Sequence, residues 1–184
     1  MINMVEKTSY EKGEDFEKFV LDMFPEKYFK IVFATARKSD LHGRGMEMCR
    51  YPDFQLRDKT TDKTFWIECK YRARMFRGKI FWCSDVQMDN YWDVQRETNT
   101  DVYVAIGVGG MPNSPEEVAF FQLKSLLERC IWSEKYKYYT TGKNRKFKSL
   151  NELKKLTKAA HLQDIFLDED EEEINSFYVE IRIP

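Results

Sequence analysis

The chain has 184 residues, of which 42% are hydrophobic, 15% aromatic and 33% charged, enough apolar content for the core of one ordinary domain. Its 30 basic and 31 acidic residues give a net charge of −1, yet six of the acids form a single run, Asp168 to Glu173, so the other 25 acids face all 30 basic residues. No apolar run approaches the ~18 residues of a membrane span, no apolar signal core opens the chain, and Cys49, Cys69, Cys83 and Cys130 show no CxxC spacing, so the expectation is a cytoplasmic protein with reduced thiols and no membrane partner.

In chain order, Gly13 precedes Phe16, Phe19, Val20, Met23 and Phe24, the spacing of an amphipathic helix, which Pro25 ends. Tyr28 to Ala34 is aromatic and β-branched and predicts a strand. Arg37 to Arg50 is polar with two glycines and predicts a loop. Pro52 to Arg57 and Thr64 to Tyr71 predict two strands joined by DKTTDK. Ser84 to Thr98 predicts a helix capped by Ser84 or Asp85. Asp101 to Val108 is almost continuously apolar, as in a strand buried on both faces. Gly109, Gly110, Pro112 and Pro115 punctuate the chain before a strand at Val118 to Leu123. Leu126 to Trp132 reads as a short helix or turn, Leu150 to Ala160 as a helix, and Phe177 to Ile183 as a last, alternating strand. The order predicts an α/β fold with a central mixed β-sheet flanked by helices, in one domain spanning 1–184.

Two stretches are basic and free of acids: Lys70 to Lys79, KYRARMFRGK, with five positive residues, and Lys135 to Lys148, KYKYYTTGKNRKFK, with six. Basic residues interleaved with aromatics suit a polyanion, and equally suit a solvated surface. The aromatics between Tyr136 and Tyr139 either stack on bases or pack inward.

The hairpin carries the most specific pattern. Side chains alternate along a strand, so Glu68 and Lys70 share a face while Cys69 points away into the core. Asp53 follows Pro52, which belongs at a strand's start. If the two strands pair across DKTTDK, Asp53 falls near the level of Glu68 and Lys70. Cross-strand ion pairing on a solvated hairpin accounts for these charges too. Glu17 adds to them: at about 100° per residue it lies inside the arc of Phe16, Val20 and Phe24, and a carboxylate within an apolar stripe is costly unless it is paired, bound to a cation or reaching out to solvent.

Helical Glu17, Pro52-Asp53 and Glu68-Cys69-Lys70, in that element order, resemble the PD-(D/E)XK nuclease superfamily, and the Gly13–Glu17 helix start is similar to that of Mrr-like and Holliday junction resolvase-like members. The resemblance covers roughly residues 13–108; residues 116–184, with the acidic loop 168–173, stand outside it as a C-terminal elaboration. It implies a restriction-endonuclease-like fold and a Mg²⁺-dependent DNA endonuclease, with Mn²⁺ as a substitute, little sequence reading of its own, and a homodimer where a double-strand target is cut. Asp53, Glu68 and the Cys69 backbone carbonyl would be metal ligands, and Glu17 would act through a water. Lys70 would orient the attacking water and stabilise the phosphate. Gln87 would face the site from the second helix; Tyr91, one turn on, reads as helix surface. Arg72, Arg74, Arg77 and Lys79 would hold backbone phosphates at the cleft mouth. His42 and His161 receive no catalytic role. The alternative is a catalytically silent protein of this fold that binds nucleic acid or a partner protein.

Overall fold

The computed structural model describes residues 7–35 and 50–158. The acidic run, the expected strand at Phe177 to Ile183, both histidines, Cys49 and all of the polar segment 37–50 except Arg50 lie outside the described residues. No helix among the described residues is long and apolar enough to cross a membrane.

Helix α1 (Ser9–Asp22) begins one turn before the position that Gly13 suggested. The reason is a capping box. The Thr8 hydroxyl accepts from the Glu11 amide, and the Glu11 carboxylate accepts from the Thr8 amide, satisfying two of the donors that a helix start leaves open. Strands β1 (Phe29–Ala34), β2 (Phe54–Asp58) and β3 (Thr64–Arg72) follow as an antiparallel meander. A short strand β4 (Lys79–Phe81) leads into helix α2 (Asp85–Thr98), whose cap is Ser84. The chain then crosses back to β5 (Val102–Val108), which runs parallel to β3, and turns into β6 (Glu117–Gln122), antiparallel to β5. Beyond it come β7 (Cys130–Trp132), the short helix α3 (Ser133–Tyr138), β8 (Thr140–Thr141) and helical residues 150–158, here α4. The main sheet has the order β1-β2-β3-β5-β6-β8, and β4 pairs with β7 in a separate two-stranded ribbon. The segment read as a helix or turn at Leu126 to Trp132 is therefore corrected: its last three residues form a strand, held by a partner some fifty residues away in sequence.

β5 is buried along its whole length because each face of the sheet carries its own layer. On one face, Phe16, Val20, Met23 and Phe24 of α1 and its C-terminal end meet Phe65, Ile67, Tyr103 and Phe120, closed by Phe147, Leu150 and Leu153. On the other, Tyr91 and Val94 of α2 meet Trp66, Val104 and Ile106, with Trp82, Ile131, Tyr136 and Tyr139 beside them. α1 lies close to the sheet because Gly107 has no side chain; a Cβ there would fall 2.4 Å from the Phe16 ring. Asp58, fully buried, draws α4 against the β2–β3 hairpin: its carboxylate accepts from the amides of Thr60 at 2.8 Å, Thr61 at 3.2 Å and Leu150 at 2.8 Å. Burial alone would raise this carboxyl; the three amides overrule it and hold the group below its ordinary value.

Candidate active site

The β2–β3 register pairs Phe54 with Ile67, which sets Asp53 opposite Glu68, one step past the last ladder pair. There the ladder continues through a side chain. The Cys69 amide donates to Asp53 Oδ2 at 2.7 Å. Asp53 is fixed from the other side as well: the Thr35 amide donates to its carbonyl at 2.9 Å, and the Thr35 hydroxyl donates to the Pro52 carbonyl at 2.9 Å. A residue's N–H and C=O project to the same side of a strand, so the Cys69 carbonyl also projects to the β2 side of β3.

Glu68 and Lys70 share the β3 face that looks toward α2, as their alternation requires. They form an ion pair, and their side chains are only 4% and 14% exposed. Tyr91 reaches them from α2. Lys70 Nζ lies 3.5 Å from the Tyr91 hydroxyl, and burial together with the facing Glu68 carboxylate holds the phenol protonated far above its ordinary range. Tyr91 is thus the α2 residue that meets the pair, whereas the Gln87 carboxamide oxygen accepts from the Ser84 amide at 3.2 Å and serves the helix cap. The signal that would have exposed Tyr91 is the inward stripe Met88, Tyr91, Val94 at helical spacing; reading the tyrosine as polar hid it.

Charge in this cluster is unbalanced. Burial raises the Asp53 carboxyl well above its ordinary value, and the negative charges of Glu68 and then Glu17 raise it further, against the opposing pull of Lys70. Burial would lower the Lys70 ammonium, but Glu68 and Asp53 outweigh it and keep Lys70 protonated. The Cys69 thiol, packed toward α1, is pushed up by burial and by the same carboxylates and stays neutral, which suits a core residue and not a ligand. Glu17 is partly buried on α1 and acts electrostatically on Asp53 and Cys69. The fold thus brings Glu17, Asp53, Glu68 and Lys70 into one electrostatic neighbourhood, with three carboxylates against the Lys70 ammonium and the nearby Arg72 guanidinium.

The donor chemistry suits a hard divalent cation. Two carboxylates face each other across β2 and β3, a backbone carbonyl lies on the same side, and the excess negative charge is costly to bury without a counter-ion. Among the described residues no group of three or more Asp, Glu, His or Cys side chains is gathered so as to hold an ion by itself. Mg²⁺ is commonly held by one or two carboxylates and completes its shell with water and substrate phosphates.

The arginines after the motif divide. Arg72 is not available to phosphate: its guanidinium donates to the carbonyls of Phe81 at 2.6 Å, Tyr71 at 2.9 Å and Trp82 at 3.1 Å, and burial lowers its pKa. It is a strap between β3 and β4, which corrects its assignment to the cleft mouth. Arg74 and Arg77 are exposed. Lys79 lies over the Trp132 ring with Nζ 3.8 Å from the centroid. In the second basic stretch Tyr136 and Tyr139 are fully buried, so these aromatics pack inward. A surface concavity of about 780 Å³ between α1 and β1 contains none of the motif residues.

Comparison with solved structures finds the Holliday junction resolvase Hjc of the archaeal hyperthermophile Archaeoglobus fulgidus, with a TM-score of 0.51 at 16% identity, over 74% of this chain and 98% of that one. The chain shares the fold of this resolvase, a six-stranded mixed sheet flanked by helices. No protein-family model and no curated protein sequence matches it. The share of the chain aligned exceeds the 13–108 span that carries the motif, so the likeness of fold reaches past the sequence resemblance.

Proposed function

We propose that this chain is a Mg²⁺-dependent DNA endonuclease in which Asp53 and Glu68 bind the metal and Lys70 acts on the scissile phosphate. The observation that carries this reading is Asp53 set opposite the Glu68–Lys70 pair, its carboxyl bound to the Cys69 amide and raised by burial and by two neighbouring carboxylates. The resolvase of like fold acts, by its name, on DNA four-way junctions, and a branched DNA is the first substrate to try.

Asp53 and Glu68 would supply hard oxygen ligands, with the Cys69 carbonyl between them and Glu17 acting through a water. The ion, when bound, polarises the phosphate and lowers the pKa of water. Lys70, held protonated, would stabilise charge that develops on the phosphate oxygens, a task for a cation and not for a general base. Tyr91 would keep the ammonium and Glu68 in place from behind. Arg74, Arg77 and Lys79 would take backbone phosphates, contributing affinity without sequence.

The test is cleavage of supercoiled plasmid, a synthetic four-way junction and single-stranded DNA in Mg²⁺ and in Mn²⁺. Wild type is expected to cut at least one of them, EDTA to stop it, and Asp53→Ala and Lys70→Ala each to lower the rate by at least about a hundredfold. A wild type that cuts none of them in either metal would reject the enzyme. One observation favours a second reading, a silent nuclease-fold protein that binds nucleic acid or a partner: Glu68 already has Lys70 as its counter-ion. Under that reading the four acidic and basic side chains only stabilise the hairpin.

A further inference from the structure

The β4–β7 ribbon presents exposed aromatic rings among the cations Arg77 and Lys79, and the reading above uses the cations but not the rings. In the register Lys79↔Trp132, Ile80↔Ile131, Phe81↔Cys130, the middle pair points inward, with Ile80 and Ile131 at 1% and 2% exposure. The flanking pairs therefore point outward together. Phe76 joins them: it pairs with Lys79 across a two-residue turn in which Arg77 and Gly78 both have positive φ, 50° and 72°, the geometry of a tight hairpin. Phe76, Lys79 and Trp132 thus stand side by side across three strand segments, and Phe81 lies next to Lys79 along β4. Phe76, Phe81 and Trp132 are 61%, 51% and 52% exposed. Arg77 lies over the Phe76 ring at 5.3 Å and Lys79 over the Trp132 ring at 3.8 Å. The ribbon strands carry no acid; Glu128 and Glu134, both exposed, flank β7, and Arg129 is paired with Asp85.

We infer that this face is a docking surface for unpaired DNA, on which bases stack on Phe76, Phe81 and Trp132 while Arg74, Arg77 and Lys79 meet the phosphates. Three exposed rings on one face, with cations set among them, suit a polyanion that carries flat apolar groups. A duplex hides its base faces inside the stack, so a surface of rings suits a strand whose bases are free. The location agrees. Arg72 of β3 binds the Phe81 and Trp82 carbonyls, and Trp82 stacks on Tyr91 at 6.2 Å, so the ribbon is fastened to the strand that carries Glu68 and Lys70. The inference relies on the nuclease reading only for where the strand goes next. It commits to unpaired segments, as at an open branch point or an overhang.

The test is a fluorescence-anisotropy titration of the full chain in EDTA, with an oligothymidylate of about twenty nucleotides, longer than the footprint of such surfaces, and with an oligouridylate and a blunt duplex of the same length. Oligothymidylate is expected to bind more tightly than duplex. Trp132→Ala and Phe76→Ala are each expected to weaken it about tenfold, with duplex binding changed less than about twofold. Trp132→Phe keeps a ring and is expected to retain most of the affinity. Both residues project to solvent, so thermal unfolding of the variants should match wild type and certify the comparison. Because no metal is present and no bond is cut, the result is independent of whether Asp53 and Glu68 catalyse. Unchanged oligothymidylate affinity in both alanine variants would overturn the proposal, as would equal losses on duplex. Tighter binding of oligouridylate would reassign the surface to RNA. A wild-type dimer that Trp132→Ala converts to monomer with DNA affinity intact would make the ribbon a contact between two copies of the chain and reject the DNA surface.

Discussion

The two basic stretches are built from nearly the same residues and have opposite fates. In Lys70 to Lys79 the positive groups begin inside the site, with Lys70 beside Glu68, and end on the open face of the ribbon, where Phe76 is 61% exposed. In Lys135 to Lys148 three of the four aromatics go inward, and Tyr138 stays at the surface. Tyr136 donates to the Ile106 carbonyl at 3.0 Å, Tyr139 stacks on Phe121 at 4.4 Å, and Phe147 stacks on Phe24 at 4.9 Å. Composition does not separate them; what lies above each does. The second stretch runs along layers that already cover the sheet, so its rings complete a core and leave lysines outside. The first stretch leaves the sheet at the end of β3 and makes a ribbon with only one covered face.

Mutations can break this contrast. The largest effect belongs to the inward rings: Phe147→Ala should cost about 3–5 kcal/mol and lower the melting temperature by roughly 6–20 °C, while Phe76→Ala should stay within about 0.5 kcal/mol. Equal effects, read by calorimetry, would mean that the two stretches are not packed as described. Next come the arginines within the first stretch. Arg72→Gln should destabilise by about 1.5–3 kcal/mol because charge-assisted bonds to three carbonyls are lost, whereas Arg74→Gln should leave stability unchanged and reduce the salt dependence of DNA binding by about one unit of slope. A destabilised Arg74→Gln beside a stable Arg72→Gln would reverse their assigned roles.

The smaller effect concerns pH. The folded chain holds the Asp53 proton to a higher pH than the unfolded chain does. Between the ordinary carboxyl value and the raised folded value, stability therefore rises as pH falls, and above that window the ionised cluster costs stability. In EDTA at neutral pH, Asp53→Asn should raise stability by about 1 kcal/mol, roughly 2–4 °C, and flatten the profile; saturating Mg²⁺ should reverse the order by stabilising wild type alone. Melting curves across pH with and without the ion check this. Destabilisation by Asp53→Asn in EDTA would show that the carboxylate is compensated without metal.

Much of the site was readable because it depends on local arithmetic. Six loop residues and a period of two bring Asp53 to the level of Glu68, and the helical wheel sets Glu17 at the margin of the apolar stripe, where it is partly buried. The parallel β3–β5 pairing follows from an intervening helix of ordinary length. The ribbon was not readable, since Lys-Ile-Phe and Cys-Ile-Trp are too short to show a period and find each other across about fifty residues. Arg72 was misassigned for a related reason. A sequence shows that an arginine follows a strand, but not that three carbonyls wait within its reach. The start of α1 was legible and passed over: Thr8 and Glu11 have the spacing of a capping box, and Gly13 drew the boundary instead.

The Arg72 strap has one more consequence. It ties the carbonyl of Phe81, whose ring belongs to the open face, to the strand that ends beside Lys70. The separation between where bases would rest and where a backbone would be cut is then set by the frame of the protein. If the proposed site and the proposed surface both hold, the molecule would work as a gauge: incisions would fall at one constant offset from the point where paired DNA gives way to single strand, and the ends it leaves would share a single length.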